Sequence, residues 1–234
     1  MRPPRALMLF AAGFGTRMGP LTADRPKPLI PVAGRPLIDH ALDIAEAAGV
    51  APIVVNLHYR GEQLADHLFG RDLRLSWERE EILETGGGLK QALPLLGDGP
   101  VLTLNTDAVW TGANPLSELI SRWSDDMDGL LLLLPVEQAT GHAPKPDFTL
   151  ADDGRIQHPP VAGRPGYVYL GAQILRTEQL LEISERSFSI WLLWRGMVEA
   201  GRLFGMVHDG GWCDVGHPDG IVDAEALLAA SGHV

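Results

Sequence analysis

"LFAAGFGTRMGPLTADRPKPLIP", Leu9 to Pro31, is the stretch on which the reading of this chain turns. An apolar run passes straight into Gly13, Gly15, Thr16 and Arg17, and ten residues beyond Arg17 stands Lys27 with a proline on either side. Glycine lets a backbone approach a ligand closely, a guanidinium can grip two phosphate oxygens at once, and flanking prolines stiffen the segment that carries the lysine. The spacing excludes two standard phosphate loops. A GxGxxG dinucleotide fingerprint would need its third glycine one residue before Gly19, and Pro20 blocks the helix that should follow. An ATPase loop needs Gly-Lys followed by Ser or Thr, and the chain has no Gly-Lys pair.

Charge sharpens the reading. The 234-residue chain carries a formal net charge of −11, which argues against nucleic acid or an anionic membrane as a partner, since both need a basic surface. Residues 1–40 run the other way, with Arg2, Arg5, Arg17, Arg25, Lys27 and Arg35 against only Asp24 and Asp39. A cationic zone in an acidic protein fits a small anionic ligand held in one place. Cys213 is the sole cysteine, so no disulfide framework or thiolate cluster is available, and a reducing, cytoplasmic location is the expectation. The longest apolar run, Gly129 to Val136, is too short to span a bilayer, and the prolines at the start speak against a signal peptide.

Along the first half, short apolar runs alternate with amphipathic ones, the pattern of βαβ units and a mostly parallel sheet. Strands are expected at "ALMLFAAG", "APIVVNL", "LRLSWERE" and "GPVLTLN", and helices at "RPLIDHALDIAEAAG", "GEQLADHLFG" and "GGGLKQALPLL". The second half predicts a buried strand at "GLLLLLPV", two strands around the turn Asp152-Asp153-Gly154, and a strand at "GYVYLGAQIL" with Gly171 in its middle. A helix follows at "SIWLLWRGMVEAG", then "RLFGMVHDGGWCDVG" as a strand running into a loop, and a closing helix at "PDGIVDAEALLAAS". Two Pro/Gly-rich patches, Gly141 to Pro146 and Pro159 to Gly166, read as loops around a ligand site. No internal repeat or linker divides the chain, so one domain over residues 1–234 is expected.

Residues 9 to 29 resemble the signature of the sugar-1-phosphate nucleotidyltransferases, L-A-A-G-x-G-T-R followed by P-L-T and P-K-P-L. Three later segments arrive in that family's order. "EEILETGGGLKQAL" is similar to its glycine-rich helix start, "VLTLNTDAVW" brings Asp107 out of the carboxyl end of a buried strand, and "GGWCDVGHPDGI" resembles its W-x-D-V/I-G-T-P segment with Asp214 in the aspartate position. Without the glycine loop, Asp107 would read as a helix N-cap or turn residue and Asp214 as a satisfied loop carboxylate; with the loop present, the paired reading is the better one. The resemblance implies a Rossmann-like α/β fold of the GT-A-like kind, a mostly parallel mixed sheet flanked by helices. It also implies catalytic roles for Arg17 and Lys27, and nucleotide or substrate contacts from Gly13, Gly15, Thr16, Thr85, Gly86, Asn105, Asp147 and Gly171. Asp107 and Asp214 would then share Mg²⁺, an ion usually bound by one or two carboxylates together with substrate phosphates.

Within the family the chain looks most like bacterial uridylyltransferases of cell-wall recycling, which implies UTP and N-acetylmuramate 1-phosphate as substrates and UDP-N-acetylmuramate and pyrophosphate as products. A mannose- or heptose-1-phosphate guanylyltransferase stays open, because the glycine loop is common to all of them. A nucleotide-sugar sensor without activity would be expected to have lost one of Arg17, Lys27, Asp107 or Asp214, and all four are present. No hexapeptide repeat follows Asp214, so no β-helix acyltransferase domain is expected. A monomer is the expected state.

Overall fold

The computed structural model describes residues 4–142 and 145–232. In chain order its elements are β1 (Leu7–Phe10), β2 (Pro31–Val32), β3 (Arg35–Pro36), α1 (Leu37–Ala48), β4 (Ile53–Leu57), α2 (Gly61–His67), β5 (Arg74–Trp77), α3 (Glu84–Leu96), β6 (Val101–Asn105) and β7 (Ala108–Gly112). They continue with α4 (Pro115–Arg122), β8 (Gly129–Pro135), β9 (Phe148–Leu150), β10 (Ile156–Gln157), β11 (Gly166–Leu175), α5 (Trp191–Glu199), β12 (Leu203–Val207), β13 (Gly210–Asp214) and α6 (Asp219–Ala230).

Alternation along the buried strands divides the core. Leu7 and Leu9 of β1 and Val55 and Leu57 of β4 face Ile38, Ala41, Leu42 and Ala45 of α1, Leu64 of α2 and Leu116 and Leu119 of α4. Met8 and Val54 point the other way, into a second cluster with Leu89 and Ala92 of α3 and Leu193 and Met197 of α5. Strands buried on both faces cannot alternate with polar residues, which is why β1, β4, β6 and β8 are nearly continuous apolar runs.

The order across the main sheet is β10-β9-β11-β6-β1-β4-β5, with β8 joined to β11 and β12. Strands β6, β1, β4 and β5 are mutually parallel, whereas β11 meets β6 and β8 antiparallel. The architecture is the expected mixed, mostly parallel central sheet flanked by helices. Among the described residues, no helix is long and apolar enough to cross a membrane.

Five elements differ from expectation. The short strands β2 and β3, not foreseen, pair as a small separate sheet. "GGWCD" is a strand, β13, and not a loop; it pairs antiparallel with β7, itself unforeseen, in a separate two-stranded sheet. The glycines that look like a turn serve close approach: a Cβ on Gly210 would lie 2.0 Å from the Thr111 carbonyl oxygen, and one on Gly211 2.6 Å from Thr111 Oγ1. Helix α4 was also not anticipated, although Asn114 caps it by accepting from the Leu116 and Ser117 amides, with Pro115 as its first residue.

Candidate active site

Phe10 at the end of β1 pairs in register with Asn105 at the end of β6, so the glycine loop and the Asn105-Thr106-Asp107 segment leave the sheet side by side. This is the carboxyl edge where open α/β sheets place ligands. A cavity of about 210 Å³ opens there, lined among others by Ala11, Ala12, Gly13, Lys27, Glu78, Thr85, Asn105 and Asp107.

After β1 the chain makes 3₁₀ turns over Thr16–Thr22, kinked at Gly19, in place of the α-helix of a dinucleotide or ATPase loop. Gly15 is bound to its position twice over. Its φ of +64° is left-handed, and a Cβ there would stand 2.9 Å from Lys27 Cβ and 3.0 Å from Thr22 Cγ2. The loop therefore rests on the stem of Lys27, which is buried and whose Nζ donates to Asp107 Oδ2 at 2.7 Å. Thr16 and Arg17 stay exposed. The Arg17 guanidinium and the Asp214 carboxylate flank Gly216, where a Cβ would lie 2.9 Å from Arg17 Nη1 and 2.5 Å from Asp214 Oδ2.

The β7–β13 ladder is what unites the two acids. Asp214 lies opposite Ala108, and the Val215 amide donates to the Asp107 carbonyl at 2.8 Å. Burial, and then the neighbouring charge of Asp107, hold the Asp214 carboxyl above its ordinary range, while Lys27, Arg17 and His142 pull it back. Two acids and the cations Lys27 and Arg17 thus converge beside the cavity. Among the described residues no cluster of three or more His, Cys, Asp or Glu forms a ready-made metal cage, so a cation here would draw on two carboxylates only.

Glu78 and Asn56 were not read from the sequence as site residues, yet both line the cavity. Glu78 is 2% exposed; its Oε1 accepts from Asn56 Nδ2 at 2.6 Å and its Oε2 from the Leu83 amide at 2.8 Å. Asn56 Oδ1 in turn accepts from the Ala11 amide at 2.7 Å. This buried chain of hydrogen bonds ties the start of the glycine loop to the segment that leads into α3. It fixes two walls of the cavity relative to each other.

The remaining expected residues divide. Gly13, Thr85 and Asn105 line the cavity. Thr106, for which no role was expected, also lines it, its Oγ1 donating to the Phe10 carbonyl at 2.8 Å. Gly171, at φ +84°, packs behind Asn105, where a Cβ would meet the Asn105 side chain at 2.8 Å; it makes room for a lining residue and does not itself line the cavity. Gly86 has a different task from the one expected. Its amide and that of Gly87 donate to the Phe188 carbonyl, and a Cβ on Gly86 would collide with the Phe188 ring at 2.4 Å, so this glycine lets α3 dock on the 186–188 segment. Asp147 lies at a second cavity, where its Oδ2 accepts from the Tyr169 amide at 2.9 Å.

Residues 7–183 match the family model described as the MobA-like NTP transferase domain. The chain belongs to that family. Compared with individual members, this NTP transferase is 39% identical to an N-acetylmuramate alpha-1-phosphate uridylyltransferase of Caulobacter vibrioides, over 97% of this chain and 98% of that one. It is 36% identical to one of Neisseria meningitidis, over 95% and 98%. Mannose-1-phosphate guanyltransferases of fungi stand further off, at about 30% identity and over 64% of their own length. Among solved structures, UDP-glucose pyrophosphorylase complexed with UDP-glucose superposes with a TM-score of 0.79, covering 97% of this transferase and 99% of that chain at 18% identity, a likeness of fold alone.

Proposed function

We propose that this transferase moves a uridylyl group from UTP to N-acetylmuramate 1-phosphate, giving UDP-N-acetylmuramate and pyrophosphate, in the recycling of cell-wall sugars. The observation that carries the reading is the pair Asp107 and Asp214, drawn together by β7 and β13 beside a glycine loop that rests on Lys27. The two uridylyltransferase relatives supply the choice of base and sugar.

In this reaction a phosphate oxygen of the sugar bonds to the α-phosphorus of UTP, and the bond from that phosphorus to the oxygen bridging to the β-phosphorus breaks. The attacking oxygen is already ionised near neutral pH, so no general base is required. The protein must bring two mutually repelling anions together and hold them in line. Gly13 lets the triphosphate lie against the backbone, and exposed Arg17 and Thr16 grip the leaving β- and γ-phosphates. Lys27, held by Asp107 until substrate competes for it, meets the reacting phosphate. Thr85 and Asn105 face the nucleoside and ribose side.

The donor set fits Mg²⁺: a hard ion satisfied by two carboxylates plus phosphate oxygens and water, placed where Asp214 is buried against a like charge. Bound on Asp107 and Asp214, it would neutralise the phosphates that meet there. The test is pyrophosphate release from N-acetylmuramate 1-phosphate with each nucleoside triphosphate in turn. UTP is expected to be preferred at least tenfold, and turnover with GTP alone would overturn the proposal in favour of guanylyl transfer.

A further inference from the structure

Beyond the nucleotide cavity lies a larger one of about 660 Å³ that the chemistry above does not use. Its floor is aromatic. Phe148 and Trp194 are buried, Trp191 stacks on Phe148 at a centroid distance of 6.4 Å, and Tyr169 meets Trp194 edge-on at 4.9 Å. Such ring surfaces suit the C–H faces of a sugar. On its rim the ammonium of Lys145 stands with the imidazoles of His142 and His158 and one carboxylate, Asp147, which accepts from the Tyr169 amide. Lys145 and the two imidazoles offer hydrogen-bond donors to an acidic substituent on that sugar ring.

The cavity is tied to the paired acids by one loop. The Asp214 amide donates to the Thr140 carbonyl at 3.1 Å, and Gly141 lies so close to the Asp214 carbonyl oxygen that a Cβ would be 2.4 Å from it. His142, the next residue, lines the cavity and lies within electrostatic reach of Asp214. The cavity thus adjoins the paired acids, within reach of a sugar whose phosphate is held at Asp107 and Asp214. Lys145 is exposed and makes no hydrogen bond or ion pair with any described residue.

Resting on the proposed function, we propose that Lys145 recognises the lactyl carboxylate that distinguishes N-acetylmuramate 1-phosphate from N-acetylglucosamine 1-phosphate, while the aromatic floor holds the ring. The test compares kcat/KM for these two sugar phosphates, with UTP, in the wild-type protein and in Lys145→Gln and Lys145→Arg. Loss of a charge-assisted contact is expected to lower the muramate value about tenfold to a hundredfold in Lys145→Gln, with the glucosamine value and the KM for UTP unchanged. Lys145→Arg is expected to retain most of the preference. An equal fall for both sugars would overturn the proposal by assigning Lys145 to the shared phosphate, and no fall for either would overturn it outright. Failure of the wild-type protein to use N-acetylmuramate 1-phosphate at all would instead defeat the functional reading on which the proposal rests.

Discussion

Replacing Glu78 by Gln tests whether the buried link between the cavity walls matters. Glu78 accepts two hydrogen bonds, from Asn56 Nδ2 and from the Leu83 amide, and glutamine offers one oxygen and one NH₂ group in their place. Asn56 cannot turn to accommodate the new donor, because its Oδ1 already holds the Ala11 amide. One donor is left facing another in a site only 2% exposed. A hydrogen bond to a charged group contributes about 1.5–3 kcal/mol, and relief from burying the carboxylate offsets part of that, leaving a net loss of about 2 kcal/mol. For a chain of this size that lowers Tm by about 4–8 °C. Because the displaced amides belong to the cavity walls, the KM for UTP is expected to rise about fivefold or more while kcat changes less. Differential scanning fluorimetry and steady-state pyrophosphate release read both quantities. The control is Glu80→Gln, an exposed carboxylate paired with Arg186, expected to shift stability by less than about 0.5 kcal/mol. A Glu78→Gln protein with the Tm and UTP KM of the wild type would mean that the Asn56–Glu78–Leu83 link supports neither stability nor nucleotide binding.

Asp107→Asn and Asp214→Asn are each expected to lower kcat by about a hundredfold or more in magnesium buffer, and near-normal turnover in either would dismiss the paired-acid metal site. Since the Asp214 carboxyl sits above its ordinary value of 3.8 in the fold, mainly through burial, its stabilising contribution is complete below that value and lost as pH rises through the raised one. In chelator at neutral pH, Asp214→Asn should therefore melt higher than wild type, and the gap should close on acidification toward pH ~4; a lower Tm would contradict this sign. Gly15→Ala places a methyl in a left-handed position against the Lys27 stem, which should cost about 1 kcal/mol or more and reduce kcat at least tenfold, as followed by urea melts and turnover. Cys213 is fully buried and its thiol is pushed up to about 12 by that burial, so a thiol reagent at pH ~8 should label only the denatured chain; rapid labelling of the native protein would be the contrary result.

The glycine loop and the alternation of strands and helices in the first half were legible in the sequence because each rests on local chemistry, whereas Asp107 and Asp214 stood out only through the resemblance of their segments to the family's. Glycine spacing and apolar runs are both written within a few residues. What joins Asp107 to Asp214 was not legible. It depends on β7 meeting β13 across about a hundred residues, and the glycines that permit this contact look locally like a turn. Gly86 was misleading for a similar reason, since a glycine-rich helix start reads the same whether a ligand or the Phe188 carbonyl comes close to it. A signal for the Asn56–Glu78 link did exist: an asparagine inside the apolar run "IVVNL" had to find a partner if the strand was buried. For α4 the signal was the Asn114-Pro115 start.

Everything proposed for the site turns on which base and which sugar this transferase joins. That choice is tested most directly by offering the wild-type protein equimolar UTP and GTP together with equimolar N-acetylmuramate 1-phosphate and mannose 1-phosphate, with magnesium, and identifying the nucleotide sugars by mass. UDP-N-acetylmuramate is expected as the dominant product, with pyrophosphate in equal amount. GDP-mannose in its place, or no nucleotide sugar at all, would contradict it.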